Sequence, residues 1–506
     1  MVFQNKRNAV EFGDFQTPLS LADSVVAVLS SLKINPKSII EPTCGKGVFI
    51  EASLSGFSDV QYVLGVDVNY EYVQIAKSKF KNNVSIKPHV NIIHENFFDV
   101  DWKDKLQFMN DPLLIIGNPP WVTNSKLGTI GGTNLPKKSN FNNQSGINSI
   151  TGKSNFDISE WMILKYFNWL NGRKGVIAVL CKTSVARKIL ISLWKDRYKI
   201  VSSRIYKIDS LRHFGVSVDA CLFVLETGEN INTSCYIFNS IESSSPSNIL
   251  GYRNGFIVTN IIEFDRYRDL EGKDKNYTWR SGIKHDCSKI MELLIFHNNY
   301  KNGLGELLDI EEKFLFPLLK GSDIGNGRNV NRTMMVVTQR NVGEETSSIS
   351  KYAPKTWKYL DENREFFNKR KSSIYKNKPS FSIFGVGNYS FSPWKIAISG
   401  FYKKLSFVKI SPSISGKPFV FDDTVYFLPC WSEKEADFLY EILTSPQAMG
   451  FYNSMIHWDE KRPITISLLK RLNIEKLAEK LGRFKEYNEF IKQYDRKNIV
   501  TLEVSS

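Results

Sequence analysis

Leu113-Leu114-Ile115-Ile116-Gly117-Asn118-Pro119-Pro120-Trp121 is a short apolar run that breaks into a rigid, proline-bearing corner. No charge interrupts the run, as expected of a strand covered on both faces. Runs of the same kind flank it: Ser38-Ile39-Ile40, Tyr62-Val63-Leu64-Gly65-Val66-Asp67, Asn91-Ile92-Ile93-His94 and Gly175-Val176-Ile177-Ala178-Val179-Leu180. Helical patterns lie between several of them. One spans Tyr70 to Phe80; another spans Ser159 to Leu170, with Trp161, Leu164, Phe167 and Leu170 at helical spacing. This alternation predicts a doubly wound, Rossmann-like parallel α/β sheet. Arg204 to Ile208 and Cys221 to Glu226 add two expected strands.

The chain is longer than one domain requires: 506 residues, against about 150 per domain. Residues 227–260 turn polar, with Glu242-Ser243-Ser244-Ser245-Pro246-Ser247 at their centre. A boundary is expected there, between a domain over 1–245 and a mixed α+β domain over 246–506. The second is aromatic, basic and irregular, and becomes helical from about Ser432 to Gln493.

With 42% apolar and 24% charged residues, the composition is that of a soluble globular protein rather than a disordered or fibrous one. Neither a membrane span nor a secretory signal is expected. The net charge of +15, from 67 basic and 52 acidic residues, is spread over both halves and suits a polyanionic partner, nucleic acid before membrane. It equally suits an ordinary basic protein. The six cysteines are scattered without a C-x-x-C pair, so no zinc site and no disulfide scaffold is expected.

Two motifs carry chemistry. Glu41-Pro42-Thr43-Cys44-Gly45-Lys46-Gly47-Val48-Phe49 follows a strand, and Asp67 closes the next one. Glycines there let the backbone turn tightly and approach a ligand, while an acid at that place can accept both hydroxyls of a ribose. The third glycine of the dinucleotide fingerprint is missing, which disfavours NAD. A plain strand-to-helix connection would look similar. The second motif is Asn118-Pro119-Pro120-Trp121, at a strand end where open α/β sheets bind ligands. Its prolines remove two donors, leaving the Asn118 oxygen and the Pro119 carbonyl as acceptors beside an indole. That set suits a planar ring bearing an amino group, such as adenine. A proline turn over a buried Trp is the plainer alternative.

In this order the residues resemble the gamma class of S-adenosylmethionine-dependent DNA adenine-N6 methyltransferases, the TaqI-like type of restriction-modification systems. Phe15-Gln16-Thr17-Pro18 resembles the leading cofactor-loop motif, Glu41 to Phe49 the glycine motif and Asp67 the ribose acid. Asn118 to Trp121 matches the N-P-P-[YFW] catalytic motif. Ser154-Asn155-Phe156-Asp157, the strand Gly175 to Leu180 and Phe214 resemble later segments. The resemblance covers nearly the whole first half. It implies cofactor contacts from Phe15, Thr17, Pro18, Glu41, Pro42, Cys44, Gly45, Gly47, Asp67, Val68, Asn96, Phe97, Asn118 and Phe156. Asn96 stands where the family usually has Asp, and Lys46 where it has a small residue.

The implied reaction is methyl transfer to N6 of a flipped-out adenine in double-stranded DNA, with Asn118, Pro119, Pro120, Trp121 and Phe214 forming the catalytic pocket. Asn118 and the Pro119 carbonyl would hold the amino group, and Trp121 and Phe214 would stack on the base. Residues 122–153, rich in Gly, Asn, Ser and Lys, are expected to cover the base or to form a surface loop. A metal is not expected. A monomer in a prokaryotic cytoplasm, with a separately encoded cognate endonuclease, completes the expectation. An RNA adenine-N6 methyltransferase, a glutamine methyltransferase and a non-catalytic DNA-binding subunit are the alternatives.

In the second half, Tyr375 to Phe407 interleaves lysines with aromatics. Phe384 to Tyr389 and Ser392-Pro393-Trp394-Lys395 resemble segments of TaqI-like specificity domains. Lys395, Lys403 and Lys404 are candidate phosphate contacts. Trp458, Lys461 and Arg462 are candidates for DNA contact in Met455 to Pro463. Phe316 to Ile324 is also family-like, without an assigned role.

Overall fold

The computed structural model describes residues 16–81, 88–122, 157–297, 299–328 and 332–492. It divides into two compact units, Met1–Ile261 and Ile262–Ser506. In the first, the elements are α1 (Leu19–Ser31), β1 (Ser38–Glu41), α2 (Val48–Gly56), β2 (Tyr62–Asp67), α3 (Tyr70–Phe80), β3 (His89–His94), α4 (Trp102–Leu106) and β4 (Leu113–Gly117). There follow α5 (Ile158–Trp169), β5 (Gly175–Lys182), α6 (Thr183–Lys195), β6 (Ile200–Ile208), α7 (Ser210–Phe214), β7 (Ala220–Thr227), β8 (Ser234–Phe238), β9 (Asn248–Arg253) and β10 (Phe256–Val258).

Among the described residues of this unit, ten strands form one sheet in the order β10-β9-β8-β6-β7-β5-β4-β1-β2-β3. From β3 to β5 neighbouring strands are parallel; β7 lies antiparallel between β5 and β6. The fold is the expected Rossmann-like α/β sheet. Alternation of side chains explains its two cores. Leu113 and Ile115 join Ile40, Ile177 and the helix residues Ile163 and Leu190 on one face. Leu114 and Ile116 join Ile39, Val63 and the helix residues Val25 and Ile50 on the other. Both faces are covered, so β4 is buried at every position. The crossovers from β1 run one way to β2 and β3, and the other way to β4 and β5. The carboxyl ends of β1 and β4 therefore flank the switch point where open α/β sheets bind ligands.

The expected boundary at 245/246 falls inside the first unit. β9 pairs with β8 and β10 with β9, so the chain adds a hairpin to this sheet before leaving it. Polar residues around the Ser-rich turn hide two strands at one end of the sheet, whose identity depends on pairing rather than on apolar content.

The second unit holds a four-stranded and a six-stranded sheet. Trp394–Ser399 pairs antiparallel with Val425–Cys430 in the first of these, and Leu315–Leu319 with Thr333–Val336 in the second. Helices Glu433–Leu443, Pro446–Asn453 and Ile474–Lys480 follow, a mixed α+β composition with a helical end. Among the described residues, no helix is long and apolar enough to cross a membrane.

Candidate active site

The turn after β1 is built on two left-handed glycines, Gly45 (φ 51°) and Gly47 (φ 75°). A Cβ on Gly47 would stand 2.9 Å from the Phe80 ring, so the turn closes only without a side chain there. Asp67 secures it from the next strand: its carboxylate accepts from Gly45 N at 2.7 Å and Asn69 N at 2.8 Å. Asn69 then caps α3 by accepting from the Glu71 and Tyr72 amides.

These elements border a cavity of about 480 Å³ at the switch point. Thr17, Glu41, Pro42, Cys44, Gly45, Asp67, Val68, Asn96, Phe97 and Asn118 all line it, as do Pro120 and Val122. Gly47 and Pro18 are not among the residues that line it: Gly47 turns the chain into α2, and Pro18 precedes α1. Phe15, Phe156 and residues 123–153 lie outside the described residues. The wall also contains Tyr70, Tyr72, Phe98, Ile158 and Met162, which the motifs did not indicate. Lys46 is part of the wall too, its ammonium 5.3 Å from the centre of the Tyr72 ring.

Burial decides the electrostatics. Glu41 is fully enclosed; desolvation, and then the charge of Asp67, hold its carboxyl well above the usual carboxylate range. Desolvation raises the Cys44 thiol in the same way. Glu41 Oε2 and Thr43 Oγ1 are buried without a hydrogen-bond partner among the described residues. Two polar atoms lacking partners in a cavity wall are unfavourable unless a ligand satisfies them. Asn96 lines the cavity, but its side-chain oxygen already accepts from Phe98 N at 3.0 Å.

At the end of β4, Asn118 Nδ2 donates to Thr17 Oγ1 at 3.3 Å. The following residues differ from expectation. Trp121 is not an open plate: it is buried in the core, and its indole N–H donates to the Leu180 carbonyl at 3.2 Å. Its ring meets the half-buried Phe214 edge to face, with centroids 5.3 Å apart and planes at 75°. Two rings in that arrangement leave no slot for a base between them. Pro119 is buried and lies behind the cavity wall rather than in it.

In the second unit, Lys395 is not a surface cation. It is 1% exposed, and its ammonium donates to the Ser392 carbonyl at 2.5 Å. Desolvation brings its pKa down to about 7. Arg462 packs over the Phe401 ring at 4.4 Å and donates to the Asp423 carbonyl. Lys403, Lys404 and Lys461 are exposed, and Trp458 is half-buried. Among the described residues, no three His, Cys, Asp or Glu are grouped to hold a metal.

No protein-family model matches the chain. It is 46% identical over 482 residues to the Type II methyltransferase M.NspV of Nostoc sp., a match covering 94% of this chain and 99% of that protein. With the Type II methyltransferase M.CvrRI of Paramecium bursaria Chlorella virus XZ-6E it shares 23% identity over 316 residues, 61% of this chain and 73% of the relative. Among solved structures, a type I restriction-modification system methyltransferase subunit from Streptococcus thermophilus aligns with a TM-score of 0.30 at 15% identity, covering 52% of this chain and 54% of that one.

Proposed function

The chain belongs to the type II methyltransferases, and from that premise we propose that it methylates N6 of adenine within a specific sequence of double-stranded DNA. S-adenosylmethionine is the methyl donor; when bound, it supplies an electrophilic methyl group on a sulfonium sulfur. The cavity residues fit it. Glu41 Oε2 and Thr43 Oγ1 suit a ligand rich in N–H and O–H donors. Asp67, already fixed by two backbone amides, suits a ribose.

One observation carries the choice of an amino group as acceptor of the methyl: Asn118 stands in the cavity wall with its amide oriented through Thr17. An adenine amino nitrogen is a poor nucleophile because its lone pair is delocalised into the ring. A hydrogen bond from N6 to the oxygen of Asn118, the motif's amide that lines the cavity, favours a tetrahedral nitrogen and stabilises its developing positive charge. After transfer, a proton leaves N6 to solvent. Alignment at about 3–3.5 Å supplies the rest, and no covalent nucleophile is required.

A base within a duplex cannot reach this rim, so it flips out. Trp121 is fixed by Leu180 and by burial, so Phe214 is the ring that yields. Phe214 ends the five-residue helix α7 and precedes Gly215, which is left-handed at φ 67°. Swinging Phe214 away would free one face of the indole for a base, worth about 1–3 kcal/mol of stacking. The first unit is then the catalytic domain and the second the target-recognition domain, acting as a monomer beside a separately encoded endonuclease.

The test is transfer of a tritiated methyl group from S-adenosylmethionine to duplex DNA, RNA and protein in parallel. Label confined to duplex DNA is expected. Label in RNA or protein, or none, would overturn the reading in favour of a different substrate or a non-catalytic subunit.

A further inference from the structure

One part-buried ion pair at the rim joins Asp157, the last residue of the segment Ser154 to Asp157, to Lys182, which no motif includes. Lys182 Nζ donates to Asp157 Oδ2 at 2.6 Å, with the two side chains 22% and 6% exposed. The other carboxylate oxygen accepts the Ser159 amide at 3.1 Å and its hydroxyl at 2.6 Å, so Asp157 caps α5. Directly after the cap, Ile158 N donates to the Val122 carbonyl at 2.9 Å. Val122 follows Trp121, and Ile158 and Met162 line the cavity. Lys182 closes β5, two places beyond Leu180, whose carbonyl holds the Trp121 indole. The end of one strand thus secures both flanks of the pocket.

Capping α5 does not need the lysine, because the Asp157 carboxylate already serves Ser159. Nor is net stability a sufficient reason, since a buried ion pair is often no better than apolar residues of similar volume. What the pair adds is direction: it fixes the capped end of α5 against the end of β5.

We propose that Lys182 is a positioning residue for methyl transfer. Through Asp157 it sets Ile158 and Met162 in the cofactor wall, and through Val122 the register of the segment from Asn118 to Trp121. This rests on the reading of the cavity as the S-adenosylmethionine site.

The experiment compares the whole protein with Lys182→Met, Lys182→Arg and the double variant Lys182→Met, Asp157→Asn. The readouts are kcat and KM for S-adenosylmethionine on duplex DNA, calorimetric affinity for S-adenosylhomocysteine, and thermal melting. A displacement of about 1 Å can cost about 100-fold in rate. The expected result is therefore a 10- to 100-fold fall in kcat and weaker S-adenosylhomocysteine binding for Lys182→Met, with substantial recovery in Lys182→Arg. If Lys182→Met strands the Asp157 charge and does not fold, the double variant decides, because Asn still caps the helix. The double variant should melt near the wild type and remain slow. Wild-type kcat and affinity in a folded variant lacking the lysine, whatever its melting temperature, would overturn the positioning role. A wild-type protein that binds no S-adenosylhomocysteine would instead overturn the cavity assignment, and this inference with it.

Discussion

Asn118 and Thr17, 101 positions apart, meet through a 3.3 Å hydrogen bond in which the Asn118 amide nitrogen donates. The bond ties the segment before α1 to the end of β4 and gives the Asn118 amide a defined direction. Replacing Thr17 with Val removes the acceptor and keeps the shape. A net loss of about 0.5–1.5 kcal/mol is expected, lowering kcat roughly 2- to 12-fold, whereas Thr17→Ser retains most of the rate. Steady-state kinetics on duplex DNA check this; equal rates for Val and Ser would remove the bond from the mechanism.

Asp67 holds two backbone amides and faces the cavity. Asp67→Ala frees the glycine turn and removes the proposed ribose acceptor together. Hydrogen bonds to a charged group contribute about 1.5–3 kcal/mol each, so affinity for S-adenosylhomocysteine should fall at least tenfold by calorimetry. Unchanged affinity would place the ribose elsewhere.

Gly47 is left-handed, and a Cβ there would crowd Phe80. Gly47→Ala should destabilise the fold by about 1–3 kcal/mol, read as a lower urea midpoint with unchanged slope. An unshifted midpoint would contradict the role given to this glycine.

Lys395 loses its proton at about pH 7 in the fold, but at about 10.4 in an unfolded chain. Between those values the unfolded state binds more protons, so this residue makes stability rise with pH across that window. Below pH 7 both states are protonated and the cost of the buried charge is fully present. Lys395→Met should therefore be more stable than the wild type at pH 6, by about 1–4 kcal/mol, with the difference shrinking towards pH 10. Urea unfolding across that range is the check; a difference that does not depend on pH would contradict the buried titration.

Much of the fold is legible in the sequence. β1, β2, β4 and β5 are continuous apolar runs, and a strand buried on both faces leaves that trace locally. Gly45 and Gly47 are readable because a tight turn after a strand favours glycine, whereas the bonds by which Asp67 secures that turn depend on the neighbouring strand. What could not be read depends on distant partners. Lys395 looks like a solvated cation until its strand is placed inside a sheet with Phe421 and Phe427 nearby. Trp121 looks like an open plate until β5 presents the Leu180 carbonyl to it. Ile158 and Met162 are ordinary apolar residues of α5, and only the cavity reveals them. Phe98 could have been suspected, since it adjoins Phe97 in the turn after β3.

The decisive measurement is mass spectrometry of nucleosides from duplex DNA treated with wild-type protein and with Asn118→Ala. N6-methyladenine from the wild type, with none from a variant that still binds duplex, is the expected result. N4-methylcytosine from the wild type, or N6-methyladenine undiminished in the variant, would contradict the assignment of Asn118 to the adenine amino group.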